Sequence, residues 1–232
     1  MIGIIGAMQT EVNLLCSKLT SAEKIEYCNL VFNKGQINGK DVVVVCSGVG
    51  KVNAALCAQA LVLKFGADRI INTGIAGAAG KGLGVFDFVV STEAVYHDVD
   101  VRIFGYQLGQ IPGTKTLEFK ADETMANAAV EAFNSSDFAK EHKIVKGRVA
   151  SGDQFIADKD VKQHIIDSFA PMCVEMEGAA IAHACTLNKV PFVIIRCLSD
   201  CADDSATSTY AFNEDVAAEQ SGKLVLQLIE KI

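Results

Sequence analysis

Apolar and polar positions along this chain fall in short blocks whose period switches between that of a strand and that of a helix. Ile2-Gly3-Ile4-Ile5 is a short apolar run, and helical periodicity follows from about Gln9 to Leu19. Residues 28–37 and 40–46 predict a hairpin turning at Asn38-Gly39. Val42-Val43-Val44-Val45 has no polar alternation, which predicts a strand buried on both faces. Further strands are expected at 69–72, 85–91, 144–150, up to Val174, and 190–198. Helices are expected at 51–65, 121–134, 158–169, from about 178, and from about 213. Residues 92–120 lack a clear period and carry Tyr96, Phe104, Tyr106 and Phe119, so they read as a functional loop or a contact surface. No repeat or linker interrupts the alternation. It predicts a single α/β domain over 1–232, with a central mixed or parallel sheet flanked by helices. Ligands of such sheets sit beyond the carboxyl ends of the strands.

Composition narrows the class. Half of the 232 residues are hydrophobic, which suits a globular core and excludes a disordered chain. The net charge is −7 and there is no basic run, so no nucleic-acid partner is expected. The opening run lacks a basic leader, and no stretch approaches the roughly 20 apolar residues of a membrane span. The eight cysteines form no C-x-x-C pair and mostly sit in apolar runs, as expected of buried thiols in a reducing cytoplasm. Cys197 and Cys201 flank Asp200, but no His or close Cys pair completes a ligand set, so no metal is expected.

Chemistry therefore has to come from the strand ends. Glu11 follows the first strand, where a helix dipole alone would favour a carboxylate. Ser47-Gly48-Val49-Gly50-Lys51 hints at a phosphate loop, but that motif would need Gly at 45 and Ser or Thr at 52, and both are Val. Thr73-Gly74-Ile75-Ala76-Gly77 reads equally as a tight turn or as a ligand contact, whereas Phe155 in Ser151-Gly152-Asp153-Gln154-Phe155-Ile156 could stack on a flat base but reads first as a core side chain. Glu175 and Glu177 share a face if extended and diverge if helical. His183 reads as structural, and Arg196, inside an apolar strand, needs an acidic partner. Ser199-Asp200 follows about eight apolar residues; an N-cap is the plain alternative to catalysis there.

Together these segments resemble the nucleoside phosphorylase superfamily, and within it the 5′-methylthioadenosine/S-adenosylhomocysteine nucleosidases. The resemblance rests on Ile2–Met8 with Glu11, Ser47–Val52, Ile71–Gly74, Tyr96–Asp100, Phe104-Gly105-Tyr106, Gly109–Gly113, Ser151-Gly152-Asp153, Val174–Glu177 and Ser199-Asp200, in order across nearly the whole chain. It implies a homodimer that hydrolyses the N-glycosidic bond of adenine thioribosides without cofactor or metal, in methionine salvage. Asp200 would protonate adenine and Glu11 would activate water. Glu177 would hold the ribose hydroxyls, with Met176 against the sugar. Phe155 would stack on adenine, the Ile156 backbone would read its edge, and Ala76, Gly77 and Ser199 would line the floor. Met8, Val49 and Tyr210 would form the 5′-thio pocket. Phe104 and Pro112 would reach into the partner's site. Two departures stand out: Ile75 replaces a family Ser, which favours water over phosphate as acceptor, and the run 203–210 differs from the family's. The alternatives are a purine nucleoside phosphorylase, a futalosine hydrolase and a non-catalytic nucleoside binder.

Overall fold

The computed structural model describes residues 1–203 and 206–232. Asp204 and Ser205, within the divergent run noted above, lie outside the described residues. Strand β1 (Ile2–Gly6) is fully buried and lies between β4 (Lys40–Cys46) and β5 (Arg69–Ala78), parallel to both. This central place explains the unbroken apolar runs: Ile4, Ile5 and Val42 to Val45 are all 0 % exposed. The other edge of β5 pairs in parallel with β10 (Phe192–Asp200). From there β6 (Phe88–Tyr96), β8 (Ile144–Ser151) and β9 (Cys173–Glu175) lead back to the end of β5, closing a five-stranded ring. On the open side, β4 continues into β3 (Leu30–Ile37) and β2 (Thr20–Tyr27), and the short β7 (Phe119–Lys120) joins β6. The fold is thus a mixed sheet wrapped by helices, as expected.

Two helical layers cover this sheet. On one face, α2 (Lys51–Phe65) and α5 (Gly178–Asn188) pack small side chains such as Ala54, Ala58, Ala179 and Ala182. On the other, α1 (Gln9–Ser17), α3 (Glu123–Asn134) and α6 (Ala206–Lys231) bury Val12, Leu15, Phe133, Leu224 and Leu228. A smaller cluster under α4 (Lys159–Phe169) holds Ile165 and Phe169.

Four sequence expectations need correction. β2 was missed because its residues are almost all exposed and carry no apolar alternation; pairing with β3 makes it a strand. β5 runs on to Ala78, so the small residues after Asn72 are buried strand and not a turn. β6 starts at Phe88 and not at 85, because Phe86 has a left-handed φ of 69° and the Asp87 carboxylate accepts from Gly84 and Lys143 N–H. The last helix starts at Ala206 and not near 213, since burial of Ala206 and the Asn213 bond to the Ser199 carbonyl outweigh the weak helix preference of the Ser/Thr run.

Midway along β10, Arg196 is 1 % exposed, and its guanidinium forms an ion pair with buried Glu175. It also donates to the Asn72 side chain at 2.6 Å and to backbone carbonyls of Asn72 and Ile195. Replacing one member of a buried pair strands the other charge, at a cost of about 3–5 kcal/mol. Arg196→Met is expected to lose that much stability at neutral pH. The loss should shrink on acidification, as Glu11 and Glu177, no longer held down by the guanidinium, take up protons. Denaturant melts at several pH values check this.

Candidate active site

The carboxyl ends of β1, β4, β5, β9 and β10 surround a cleft of about 490 Å³, mouth included. Of the residues singled out in the sequence, Met8, Glu11, Val49, Ala76, Gly77, Phe155, Met176, Glu177, Ser199, Asp200 and Tyr210 line it. Ile156 lines an adjoining recess of about 250 Å³, which shares Gly77, Phe155, Met176 and Asp200 with the cleft. Phe104 and Pro112 are exposed and do not line the cleft of their own chain. Ala7, Ile75, Val174 and Glu175 complete the lining. Ile75 stood out as a departure and Glu175 as an acid, whereas Ala7 and Val174 lie inside motifs that carry the resemblance without a role of their own.

Glu11 sits in the first turn of α1 and folds back over the end of β1. Its Oε2 accepts from the N–H groups of Ala7 at 2.6 Å and Met8 at 3.0 Å, and its Oε1 from Ile75 at 3.0 Å. Those bonds tie the ends of β1 and β5 to one carboxylate. Gly74 makes the approach possible: a Cβ there would lie 2.5 Å from Glu11 Oε1 and 3.3 Å from Arg196. Burial raises the Glu11 pKa, against the pull of Arg196 and the three N–H bonds.

Glu175 and Glu177 diverge because the strand ends between them. The Glu175 carboxylate points down to Arg196 and accepts from Ser151 Oγ and from the N–H groups of Glu177 and Gly178. Its hydrogen bonds are all to the protein's own groups, so it acts as a structural group. Glu177 precedes α5 and accepts from Gly50 N–H at 2.8 Å. Burial pushes its pKa up to about 8, with Glu175 and, in smaller measure, Glu11 raising it as like charges. Arg196 and the Gly50 bond oppose that rise.

Asp200 ends β10 just past a bulge. Leu198 pairs with Ala76 and Asp200 with Gly77, so Ser199 is the extra residue. A bulge of this kind re-aims the side chain that follows it. Asp200 is 2 % exposed; its Oδ2 accepts from Ser199 Oγ at 2.8 Å and its Oδ1 from Ala202 N–H at 2.7 Å. Burial raises its pKa and outweighs both bonds. Asp200 is therefore no helix N-cap. Gly77 is needed here, because a Cβ would sit 2.9 Å from Asp200 Oδ1 and 2.7 Å from Ala202 Cβ.

Phe155 is 49 % exposed at the mouth, edge-on to Tyr210 with ring centroids 5.4 Å apart. The Tyr210 hydroxyl donates to Met8 Sδ at 3.3 Å. The glycine turn at 48–50 is occupied by the protein's own acids: Gly50 N–H serves Glu177 and Lys51 N–H serves Asp153. The Lys51 ammonium pairs with Asp98 at 2.6 Å.

The raised Glu177 pKa has a sign that can be measured. A group whose folded pKa lies at about 8, above its usual 4.5, costs stability as pH rises between those values. Glu177→Gln is expected to flatten that part of the stability–pH curve, in melts compared at about pH 5 and about pH 9.

Residues 1–230 match the phosphorylase superfamily. A 5′-methylthioadenosine/S-adenosylhomocysteine nucleosidase of Geobacillus sp. (strain WCH70) is 42 % identical over 232 residues, covering 100 % of this chain and 98 % of the relative. The crystal structure of the Neisseria meningitidis nucleosidase of that name, in complex with methylthio-immucillin-A, superposes with a TM-score of 0.95 at 37 % identity, covering 100 % of this chain and 99 % of the other. The Colwellia psychrerythraea enzyme in complex with adenine also has a TM-score of 0.95, at 41 % identity, with 99 % and 94 % covered. With full-length similarity of this degree, and a cleft built from the same strand ends that carried the resemblance, the chain belongs to the phosphorylase superfamily and, within it, to the 5′-methylthioadenosine/S-adenosylhomocysteine nucleosidases.

Proposed function

We propose that this protein hydrolyses the N-glycosidic bond of 5′-methylthioadenosine and S-adenosylhomocysteine, and of 5′-deoxyadenosine, releasing adenine and the sugar. The observation that carries the mechanism is the pairing of two buried carboxyl groups with raised pKa, Asp200 and Glu11, around one cleft. Adenine is a poor leaving group as an anion. Asp200, protonated more readily than an exposed Asp, delivers a proton to the departing base. Phe155 stacks on the base and the Ile156 backbone reads its edge, over a floor of Ala76, Gly77 and Ser199. The sugar becomes cation-like as the bond breaks, and a ring of carboxylates stabilises that charge. Glu177 takes the ribose hydroxyls, Met176 packs on the sugar, and Glu11 removes a proton from the attacking water. Raised basicity of Glu11 suits that task.

The electrostatics favour water over phosphate. Among the described residues, none lining the cleft is Lys or Arg, and Arg196 beneath it is already committed to Glu175. The amides of Gly50 and Lys51 are likewise taken by carboxylates. Adenine release from methylthioadenosine is expected at the same rate with and without phosphate, followed by chromatography of both products. Asp200→Asn is expected to cut kcat by roughly 10²–10⁴-fold while a non-hydrolysable analogue still binds. A sugar 1-phosphate product, or near-normal turnover by that variant, would refute the assignment.

We further propose a homodimer in which Phe104 and Pro112 enter the partner's cleft, in a reducing cytoplasm where all eight cysteines stay as thiols. Support comes from large apolar side chains left exposed: Val52, Leu56 and Leu63 on α2, Leu187 on the neighbouring α5, and Ile103 and Phe104 in the 3₁₀ turn Arg102–Phe104. Such a patch marks an interaction surface. No helix among the described residues is long and apolar enough to cross a membrane. Leu56→Asp is expected to convert a dimer to a monomer in sedimentation velocity and to raise KM through loss of the partner's contribution.

A further inference from the structure

The carboxyl group of Asp200 is held at both of its oxygens, and the two holds differ in kind. Oδ2 accepts from Ser199 Oγ at 2.8 Å, and that hydroxyl has a second acceptor in the Ala76 carbonyl at 3.5 Å. It can therefore turn away when Oδ2 takes up a proton. Oδ1 accepts from Ala202 N–H at 2.7 Å. An amide N–H can only donate, so Oδ1 stays an acceptor in either protonation state. The Ala202 amide thus decides which oxygen carries the proton.

What fixes that amide lies behind the cleft. Ala202 is 1 % exposed and has a left-handed φ of 48°, a conformation that costs an alanine energy and needs support. The carbonyl of the same peptide unit, that of Cys201, accepts from Lys162 Nζ at 2.6 Å. The C=O and N–H of a trans peptide point in opposite directions, so Lys162 and Asp200 hold the two ends of one peptide group. A cation on the carbonyl oxygen polarises that group and strengthens its N–H as a donor. Lys162 is half-buried in the first turn of α4, three residues before Ile165, which packs in the same apolar cluster as Ala202. Residues three apart share a helix face, so α4 brings the ammonium to the side that meets this loop. Ile156, which lines the recess with Asp200, lies just ahead of the same helix. Burial raises the Asp200 pKa; the Ala202 and Ser199 bonds lower it, Asp203 raises it and the Lys162 charge lowers it. Cys201 on the same loop and Tyr210 on α6 also face this carboxylate, and Glu11, Glu175 and Glu177 line the same cleft.

We propose that Lys162 is a positioning residue for the reaction: acting through the Cys201–Ala202 peptide, it fixes Asp200 Oδ1 as an acceptor and so leaves Oδ2 to deliver the proton. The proposal rests on the nucleosidase reading of the cleft, with Asp200 as the acid.

The test is adenine release from methylthioadenosine across pH by the wild type, Lys162→Met, Lys162→Arg, Asp200→Asn and the Lys162→Met/Asp200→Asn double variant. The Kd of a non-hydrolysable analogue is measured on each. Lys162→Met is expected to lower kcat roughly tenfold, part of the roughly 10²–10⁴-fold that a general acid supplies, with KM and the analogue Kd held within about twofold. The alkaline limb of its kcat–pH profile, where the donor loses its proton, should move to higher pH. A nearby cation and a strengthened donor to the carboxylate have both gone, and each favours the ionised acid. Lys162→Arg keeps the charge and should recover most of the loss. In the Asp200→Asn background, Lys162→Met should change kcat less than about twofold, because groups that act as a unit are not additive. If Lys162→Met does not fold, Lys162→Gln, neutral but still polar, should show the same limb shift. Equal losses in both backgrounds, an unmoved kcat and limb, or a loss confined to KM would overturn the role of Lys162 and leave the nucleosidase intact. A wild type that releases no adenine would instead overturn the nucleosidase reading and this proposal with it.

Discussion

One guanidinium holds the floor of this cleft. Arg196 lies in the middle of a strand that is buried along its whole length, where an unpaired charge would be untenable. Glu175 answers it directly, and Glu11 and Glu177 feel its field. Buried ion pairs are weak evidence for stability, since apolar replacements often do as well. The value of this one lies in what it permits. Without a fixed positive charge beneath them, the pKa values of Glu11 and Glu177 would rise further, leaving less carboxylate to stabilise a cationic sugar. The surrounding geometry follows from the same need: Gly74 leaves room for Glu11 and the guanidinium, and Asn72 receives the guanidinium on its side-chain oxygen.

Against that common background the acids divide their work by local surroundings. Glu11 is gripped by three N–H donors and still titrates high because it is buried. Asp200 is set apart by the bulge at Ser199, away from the guanidinium, and burial is the largest cause of its raised pKa. In the proposed mechanism similar groups serve as proton donor and proton acceptor because the backbone delivers them from different strands into different environments. The closed ring of β5, β9, β8, β6 and β10 makes this delivery rigid, since it brings the ends of β5, β9 and β10 into one region with few free edges.

Much of this was legible in the sequence. The apolar blocks located most elements, and the Asn38-Gly39 hairpin turn forms with both residues at positive φ. Eleven of the expected site residues line the cleft and Ile156 lines the recess beside it, because the order and spacing of short motifs carried the resemblance. The failures were of another kind. β2 could not be seen because an exposed edge strand has no apolar period. The start of α6 could not be placed because its first turns are rich in Ser and Thr, and packing decides their conformation.

The sequence by itself determined which segments are buried and which acids stand at strand ends, since both depend on neighbours only a few residues away. Tertiary structure alone decided how those acids are used. Glu11 meets the Ile75 amide across 64 residues and Glu177 meets Gly50 across 127. The guanidinium of Arg196 reaches Asn72 across 124. Burial and like-charge proximity set the pKa values, and both arise only when those distant segments are packed around one cleft.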